Sequence, residues 1–80
     1  MKQFKIMLPS VAEAKKFVAA ASKCNIDIDI FYNRVTIDAK SILGVLSLDL
    51  SQVLTVQLHG ENSDFEKYLK EKAPKNSTAA

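Results

Sequence analysis

The chain has 80 residues, of which 48% are apolar and 25% are charged, and its formal net charge is +2. This length is enough for one small domain, and the composition is typical of a compact protein rather than a disordered one. The net charge is too small to indicate a nucleic-acid partner. The longest uninterrupted apolar run, Phe17–Ala21, is far shorter than the roughly 20 residues of a membrane span. We therefore expect one soluble domain, a monomer with no nucleic-acid or membrane partner.

The chain has one cysteine, Cys24, and one histidine, His59. A lone cysteine excludes an internal disulfide, and this pair of residues does not supply the usual zinc ligands. The charged residues at the start of the chain are not followed by the apolar stretch of a secretory signal. These observations predict a cytoplasmic protein with no metal and no cofactor.

The first part of the chain predicts a strand followed by a helix. Apolar and polar residues alternate over Lys2–Leu8, which indicates a half-buried strand. Apolar residues then recur at helical spacing over Val11–Lys23. Ser10 is the expected N-cap of this helix, and Glu13 would complete a capping box by returning a hydrogen bond to the serine. Five lysines and one acid make residues 1–23 locally basic, which we interpret as a solvated face.

The next segment predicts a β-hairpin. Alternating apolar residues over Ile26–Ile30 and over Arg34–Ala39 indicate two strands, joined by a turn at Tyr32-Asn33. Three acids fall on the exposed face of this hairpin, and we interpret them as solvated side chains rather than as a cation site. They are Asp27, Asp29 and Asp38.

Ser41 precedes a short segment in which apolar residues surround most of the helical wheel. Val45 and Leu48 share one side and can face a sheet, whereas a second group lies on the other side and is expected to form an exposed apolar cluster. This cluster consists of Ile42, Leu43 and Leu46. Ser41 is the expected N-cap of the helix.

Alternation over 54–58 predicts a fourth strand, and Ser63 with Glu66 predicts a second capping box at the start of a third helix that fades by Lys72. Residues 1–72 then form the domain, and residues 73–80 form a flexible C-terminal tail. The predicted order is βαββαβα, with three helices on one face of a four-stranded antiparallel sheet. This is an α+β fold, an open-faced β-sandwich.

This element order, together with Ala21-Ser22-Lys23 at the end of the first helix and the segment Lys40–Leu48, resembles the HPr family. These proteins are the histidine phosphocarriers of the bacterial sugar phosphotransferase system. The likeness covers about residues 1–72, and its most specific part is Lys40–Leu48, which is similar to the regulatory-serine segment of the family. The resemblance implies the same open-faced α+β fold.

The resemblance breaks at the phosphocarrier position. In the family a histidine caps the first helix and is followed by Ala-Arg-Pro-Ala. Here Ser10 stands at the histidine position, Ala12 at the arginine position and Glu13 at the proline position. A serine phosphomonoester is stable, whereas phosphohistidine transfers its phosphate readily. The resemblance therefore implies a binding or regulatory module that does not relay phosphate and is not an enzyme.

Two other features follow from the resemblance. Ser41 matches the serine that an ATP-dependent kinase phosphorylates in many Gram-positive bacteria, so it is a candidate regulatory site. The apolar cluster after it matches the surface that docks enzyme I, sugar permease components and a transcriptional regulator. The expected partner-binding residues are Ile42, Leu43, Gly44, Leu46 and Lys23.

Two alternatives remain open from the sequence. One is a small phosphate-handling enzyme, such as an acyl phosphate hydrolase. Enzymes of this kind generally need an arginine or a glycine-rich loop at the anion site, whereas this chain has one arginine, Arg34, in the predicted hairpin and only two glycines. The other alternative is a decayed copy of an HPr protein without a present function.

Overall fold

The computed structural model describes residues 2–74, and its elements follow the predicted order βαββαβα. In chain order they are β1 Lys2–Ile6, α1 Val11–Ser22, β2 Ile28–Tyr32, β3 Val35–Asp38, α2 Ile42–Leu46, β4 Leu54–Leu58 and α3 Ser63–Glu71. Within these residues, no helix is both long enough and apolar enough to cross a membrane.

The four strands form one antiparallel sheet in the order β1-β4-β2-β3. In the pairing of β1 with β4, Lys2 lies opposite Leu58 and Ile6 lies opposite Leu54. The end of β1 and the start of β4 therefore share one end of the sheet. The sheet and the three helices confirm the fold class that the sequence predicts.

The two faces of the sheet differ as the alternation predicts. One face packs against the helices and supplies the buried strand residues Ile6, Ile28, Ile30, Leu54, Val56 and Leu58. On the other face, polar side chains pair across strands: Lys5 Nζ donates to Thr55 Oγ1 at 2.7 Å, and Gln3 donates to Gln57 at 3.3 Å.

The helices complete the core through a few apolar side chains. Phe17 of α1 is fully buried, and its ring centre lies 5.8 Å from that of Phe65 in α3. Cys24 is buried just beyond the end of α1. Val11 departs from the prediction because it is 52% exposed, although its spacing placed it on the apolar face. It is the first residue of α1 and lies beyond the buried stripe, which begins at Ala14.

Several element boundaries also differ from the prediction. The first strand ends at Ile6 rather than at Leu8, because the Met7 N–H donates to the Lys72 carbonyl instead of to a neighbouring strand. The second strand runs from Ile28 to Tyr32, so the hairpin turn consists of Asn33 and Arg34. Asn33 has a φ of 54°, and asparagine adopts this left-handed conformation more readily than most residues do.

The third helix is capped one residue earlier than predicted. Asn62, not Ser63, is the N-cap, and its side-chain oxygen accepts a hydrogen bond from the Phe65 N–H at 3.0 Å. The predicted capping box is therefore not formed: Ser63 is the first helical residue, and the Glu66 carboxylate accepts from Lys2 Nζ at 3.0 Å.

The predicted tail begins at residue 73, and only its first two residues are described. Pro74, two residues beyond Lys72, is buried. Residues 75–80 lie outside the described part of the chain.

Candidate functional site

Ser10 is the N-cap of α1, as the sequence predicts. Its backbone is extended, and its Oγ accepts a hydrogen bond from the Glu13 N–H at 3.2 Å. Its carbonyl accepts from the Ala14 N–H at 3.0 Å, which closes the first turn of the helix. The residue is exposed at the end of the sheet where β1 finishes.

The second half of the predicted capping box is absent at this helix. The Glu13 carboxylate binds Lys72 Nζ at 2.9 Å rather than returning a hydrogen bond to Ser10. A charged ammonium is a stronger donor to a carboxylate than a backbone N–H is. The hydrogen bond to Lys72 holds the pKa of the Glu13 carboxyl below its ordinary value and raises the pKa of Lys72.

Lys72 is a site residue that sequence reasoning missed. It is separated from Glu13 by 59 residues, so no local spacing pattern links the two. Its carbonyl accepts from the Met7 N–H at 2.9 Å, and its Nζ lies 5.5 Å from the centre of the Tyr68 ring. The pair borders an open hollow of about 430 Å³ between the start of α1 and the end of α3. The hollow is lined by Met7, Pro9, Glu13, Glu71, Lys72, Ala73 and Pro74.

The position that the family resemblance assigns to an arginine supplies no cation here. Ala12 is exposed in the first turn of α1 and has no charge with which to hold an anion. Arg34 lies in the turn of the hairpin between β2 and β3, rather than in the strand predicted to begin with it.

His59 lies at the opposite end of the sheet from Ser10. It directly follows Leu58, which is paired with Lys2 at the start of β1, whereas Ser10 follows the end of β1. His59 Nε2 is hydrogen-bonded to Asp29 Oδ2 at 2.8 Å. The sole histidine therefore does not replace the missing carrier residue at α1.

The three predicted hairpin acids gather around His59. Asp29 and Asp38 are directly opposite in the β2–β3 pairing, and Asp27 precedes β2. With His59 and Ile28, they line an open hollow of about 330 Å³. Within residues 2–74, no group of three or more histidine, cysteine or acidic side chains is arranged to hold a metal ion.

Ser41 is the N-cap of α2, as predicted. Its Oγ accepts a hydrogen bond from the Gly44 N–H at 3.2 Å, and its side chain lies at the surface. The residue before it, Lys40, donates from Nζ to the Cys24 carbonyl at 3.0 Å. The start of α2 is therefore tied to the C-terminal end of α1, where Lys23 is exposed as the C-cap.

The apolar cluster of α2 is only partly exposed, which corrects the prediction. Leu43 is 80% exposed, but Ile42 and Leu46 are half-buried and pack against the core. Their burial follows from the contacts of α2 with α1 and with β3. Val45 is fully buried, and Leu48 is half-buried.

Gly44 has a packing role that the sequence did not reveal. A Cβ atom at this position would lie 2.7 Å from Ile37 Cγ2 and 3.2 Å from Ser41 Oγ. The absence of a side chain thus allows α2 to lie directly against β3. Gly44 was predicted as a partner-binding residue, and its close approach to Ile37 requires a glycine independently of any partner.

Comparisons with known proteins agree on one family. The family model described as "PTS HPr component phosphorylation site" matches residues 11–72. The crystal structure of HPr-C-His from Thermoanaerobacter tengcongensis is similar to this chain with a TM-score of 0.75 and 29% sequence identity, over 89% of each chain. The crystal structure of a phosphocarrier protein HPr from Bacillus anthracis str. Ames has the same fold, with a TM-score of 0.70 and 23% identity over 91% of this chain and 96% of that one.

Proposed function

Because this chain belongs to the HPr family of the phosphotransferase system, we propose that it is a docking or regulatory module of that system which does not relay phosphate. It binds protein partners as a cytoplasmic monomer and is not an enzyme. The observation that carries this proposal is the combination of an exposed Leu43 on α2 with a serine at the cap of α1.

The chemistry at the start of α1 supports the loss of relay. A phosphoryl group on Ser10 Oγ would form a stable ester, which does not return the phosphate to a second acceptor. The neighbouring positions do not compensate: Ala12 offers no donor to a phosphate, and Glu13 places a carboxylate in the first turn. An arginine would clamp a phosphate through two charge-assisted hydrogen bonds.

The α2 surface, defined here as Ile42, Leu43, Leu46 and Lys23, supports the docking role. Leu43 presents nearly its whole side chain to solvent, and the half-buried Ile42 and Leu46 extend the apolar area around it. Lys23 adds a positive charge at the adjacent end of α1. The partners proposed for this surface are enzyme I, permease components, a serine kinase or a transcriptional regulator.

Ser41 is the proposed regulatory site on this surface. It is exposed and precedes the apolar residues directly, so a phosphate on its Oγ would add charge beside Leu43. The same phosphate lies where the N–H groups at the start of a helix favour negative charge. Phosphorylation is therefore compatible with the fold and would act on partner binding.

A binding measurement tests the proposal. Purified enzyme I and a permease component are titrated with the wild-type chain, with Leu43→Asp and with Thr36→Asp. Thr36 is an exposed residue of β3 next to Ile37, which faces α2. Because neighbouring strand residues point to opposite faces, the Thr36 variant introduces the same charge on the other face of the sheet. We expect Leu43→Asp to weaken binding by about tenfold or more, since a charge replaces an apolar anchor, and Thr36→Asp to bind as the wild type does. Equal binding by all three proteins would contradict the docking role of α2.

A further inference from the structure

Lys72, at the end of α3, contacts two segments near the start of the chain, the exit from β1 and the first turn of α1. Its backbone carbonyl accepts a hydrogen bond from Met7 at 2.9 Å, at the exit from β1. Its Nζ binds the Glu13 carboxylate at 2.9 Å, in the first turn of α1, and lies 5.5 Å from the centre of the Tyr68 ring in α3. The end of α3 is thereby fixed to both sides of the short loop that carries Ser10.

The ion pair holds the carboxylate in one place. Both side chains are only 24% exposed, and they border the hollow formed with Pro9 and Pro74. The hydrogen bond from Lys72 also holds the pKa of the Glu13 carboxyl below its ordinary value. The first turn of α1 therefore carries a fixed negative charge, together with a cation that is already paired.

This arrangement opposes the binding of an external anion at the start of α1. The free N–H groups of a helix N-terminus favour negative charge. The Glu13 carboxylate lies in this first turn and binds Lys72 Nζ, so it places a negative charge close to the N–H groups, and it neutralises the ammonium of Lys72, which would otherwise attract an anion. Ala12 contributes no compensating positive charge.

We propose that Glu13 and Lys72 form an autoinhibitory strap, which ties the loop carrying Ser10 to α3 and keeps phosphate away from the start of α1. The strap rests on the proposed function, because it adds a second cause to the loss of phosphate relay. The first cause is that Ser10 stands in place of the carrier histidine. The second is the Glu13 carboxylate in the first turn of the same helix.

The test uses inorganic phosphate and two readouts on the full chain. Amide chemical shifts of residues 11–13 report phosphate binding, and hydrogen exchange at the Met7 N–H reports opening of the strap. Glu13→Gln removes the charge and keeps the shape, so we expect phosphate affinity and Met7 exchange each to rise on the order of tenfold. Lys72→Met leaves the carboxylate unpaired, so Met7 exchange should rise while phosphate affinity does not.

The matched control is Glu66→Gln. It breaks a second ion pair, between Lys2 Nζ and the Glu66 carboxylate in the first turn of α3, whose atoms lie 3.0 Å apart. Glu66→Gln should alter neither readout at α1. A parallel titration with sodium chloride at equal ionic strength distinguishes phosphate binding from a general effect of salt. The proposal is overturned if folded Glu13→Gln binds phosphate no better than the wild type, or if its Met7 exchange is unchanged. Neither result depends on enzyme I, so the strap and the loss of relay can fail separately.

Discussion

Ser10 and Ser41 hold equivalent positions on two helices. Each is an N-cap whose Oγ accepts the N–H of the third residue after it at 3.2 Å. Their surroundings differ, because α1 continues with Glu13 paired to Lys72, whereas α2 continues with an exposed Leu43. The cap geometry is therefore shared by both helices, and the neighbouring side chains distinguish the two helix starts.

Both caps were predictable from the sequence because capping is local. A serine followed by a helical pattern supplies its own partner within three residues, and the structure places both serines as expected. Lys72 was not predictable in this way, since nothing near Glu13 in the sequence indicates a partner 59 residues away. The capping-box pattern predicts that the Glu13 side chain bonds to the nearby Ser10. In the structure it binds Lys72, which is distant in the sequence.

Substitution of Ser41 tests the cap directly. Ser41→Ala should lower the free energy of unfolding by roughly 0.5–2 kcal/mol, because the Gly44 N–H loses its acceptor. Ser41→Asp should stay close to the wild type, since a carboxylate caps the same N–H and favours the helix dipole. Urea unfolding of the three proteins measures both values. An alanine variant as stable as the wild type would show that the hydroxyl does not stabilise α2.

The predicted elements agree with the observed ones where the apolar residues of the sequence fall on a single face of a strand or helix. The alternation in β4 and the helical stripe of α1 both led to the observed core. The surface of α2 was less predictable, because a helix of five residues is surrounded by apolar side chains on most sides. Which of them are covered depends on the approach of α1 and β3, and Gly44 permits that approach.

The ion pairs between elements predict an acid-sensitive part of the stability. The pKa values of the Glu13 and Glu66 carboxyls are lowered, chiefly by hydrogen bonds from Lys72 and Lys2, respectively. Groups of this kind stabilise the fold above their unfolded pKa, near 4.5, and lose that contribution as the pH falls through the lower folded value.

We therefore expect the wild-type chain to lose more stability between pH 7 and pH 3 than the double variant Glu13→Gln, Glu66→Gln. Urea unfolding at the two pH values measures the difference for each protein. The stabilities of the two proteins should converge at low pH, where the carboxylates of the wild type are protonated. An equal loss of stability in both proteins would contradict the assignment of these two pairs.

In the molecule as a whole, a buried residue lies beyond the predicted end of the domain. Residues 1–72 are predicted to form the domain, and Pro74 is buried two residues after it. No periodic pattern marks this position, since two residues after a helix are too few to show one. Pro74 also lines the hollow beside the Glu13–Lys72 pair.

Truncation locates the boundary. A chain ending at Pro74 should unfold at the same temperature as the full chain, whereas a chain ending at Lys72 should be less stable by about 1 kcal/mol, since it exposes the surface that Pro74 covers. Thermal unfolding followed by circular dichroism compares the three proteins. Equal unfolding midpoints for all three proteins would support residue 72 as the end of the domain.

We propose that this member of the HPr family has the fold of the family but does not relay phosphate. The decisive experiment incubates the wild-type chain with labelled phosphoenolpyruvate and enzyme I and then measures acid-labile phosphate on the chain. A family member with the carrier histidine, treated in parallel, shows that the enzyme I is active. We expect that histidine-bearing protein to carry acid-labile phosphate and this chain, with Ser10 in place of the histidine, to carry none. Acid-labile phosphate on the wild-type chain would contradict the claim.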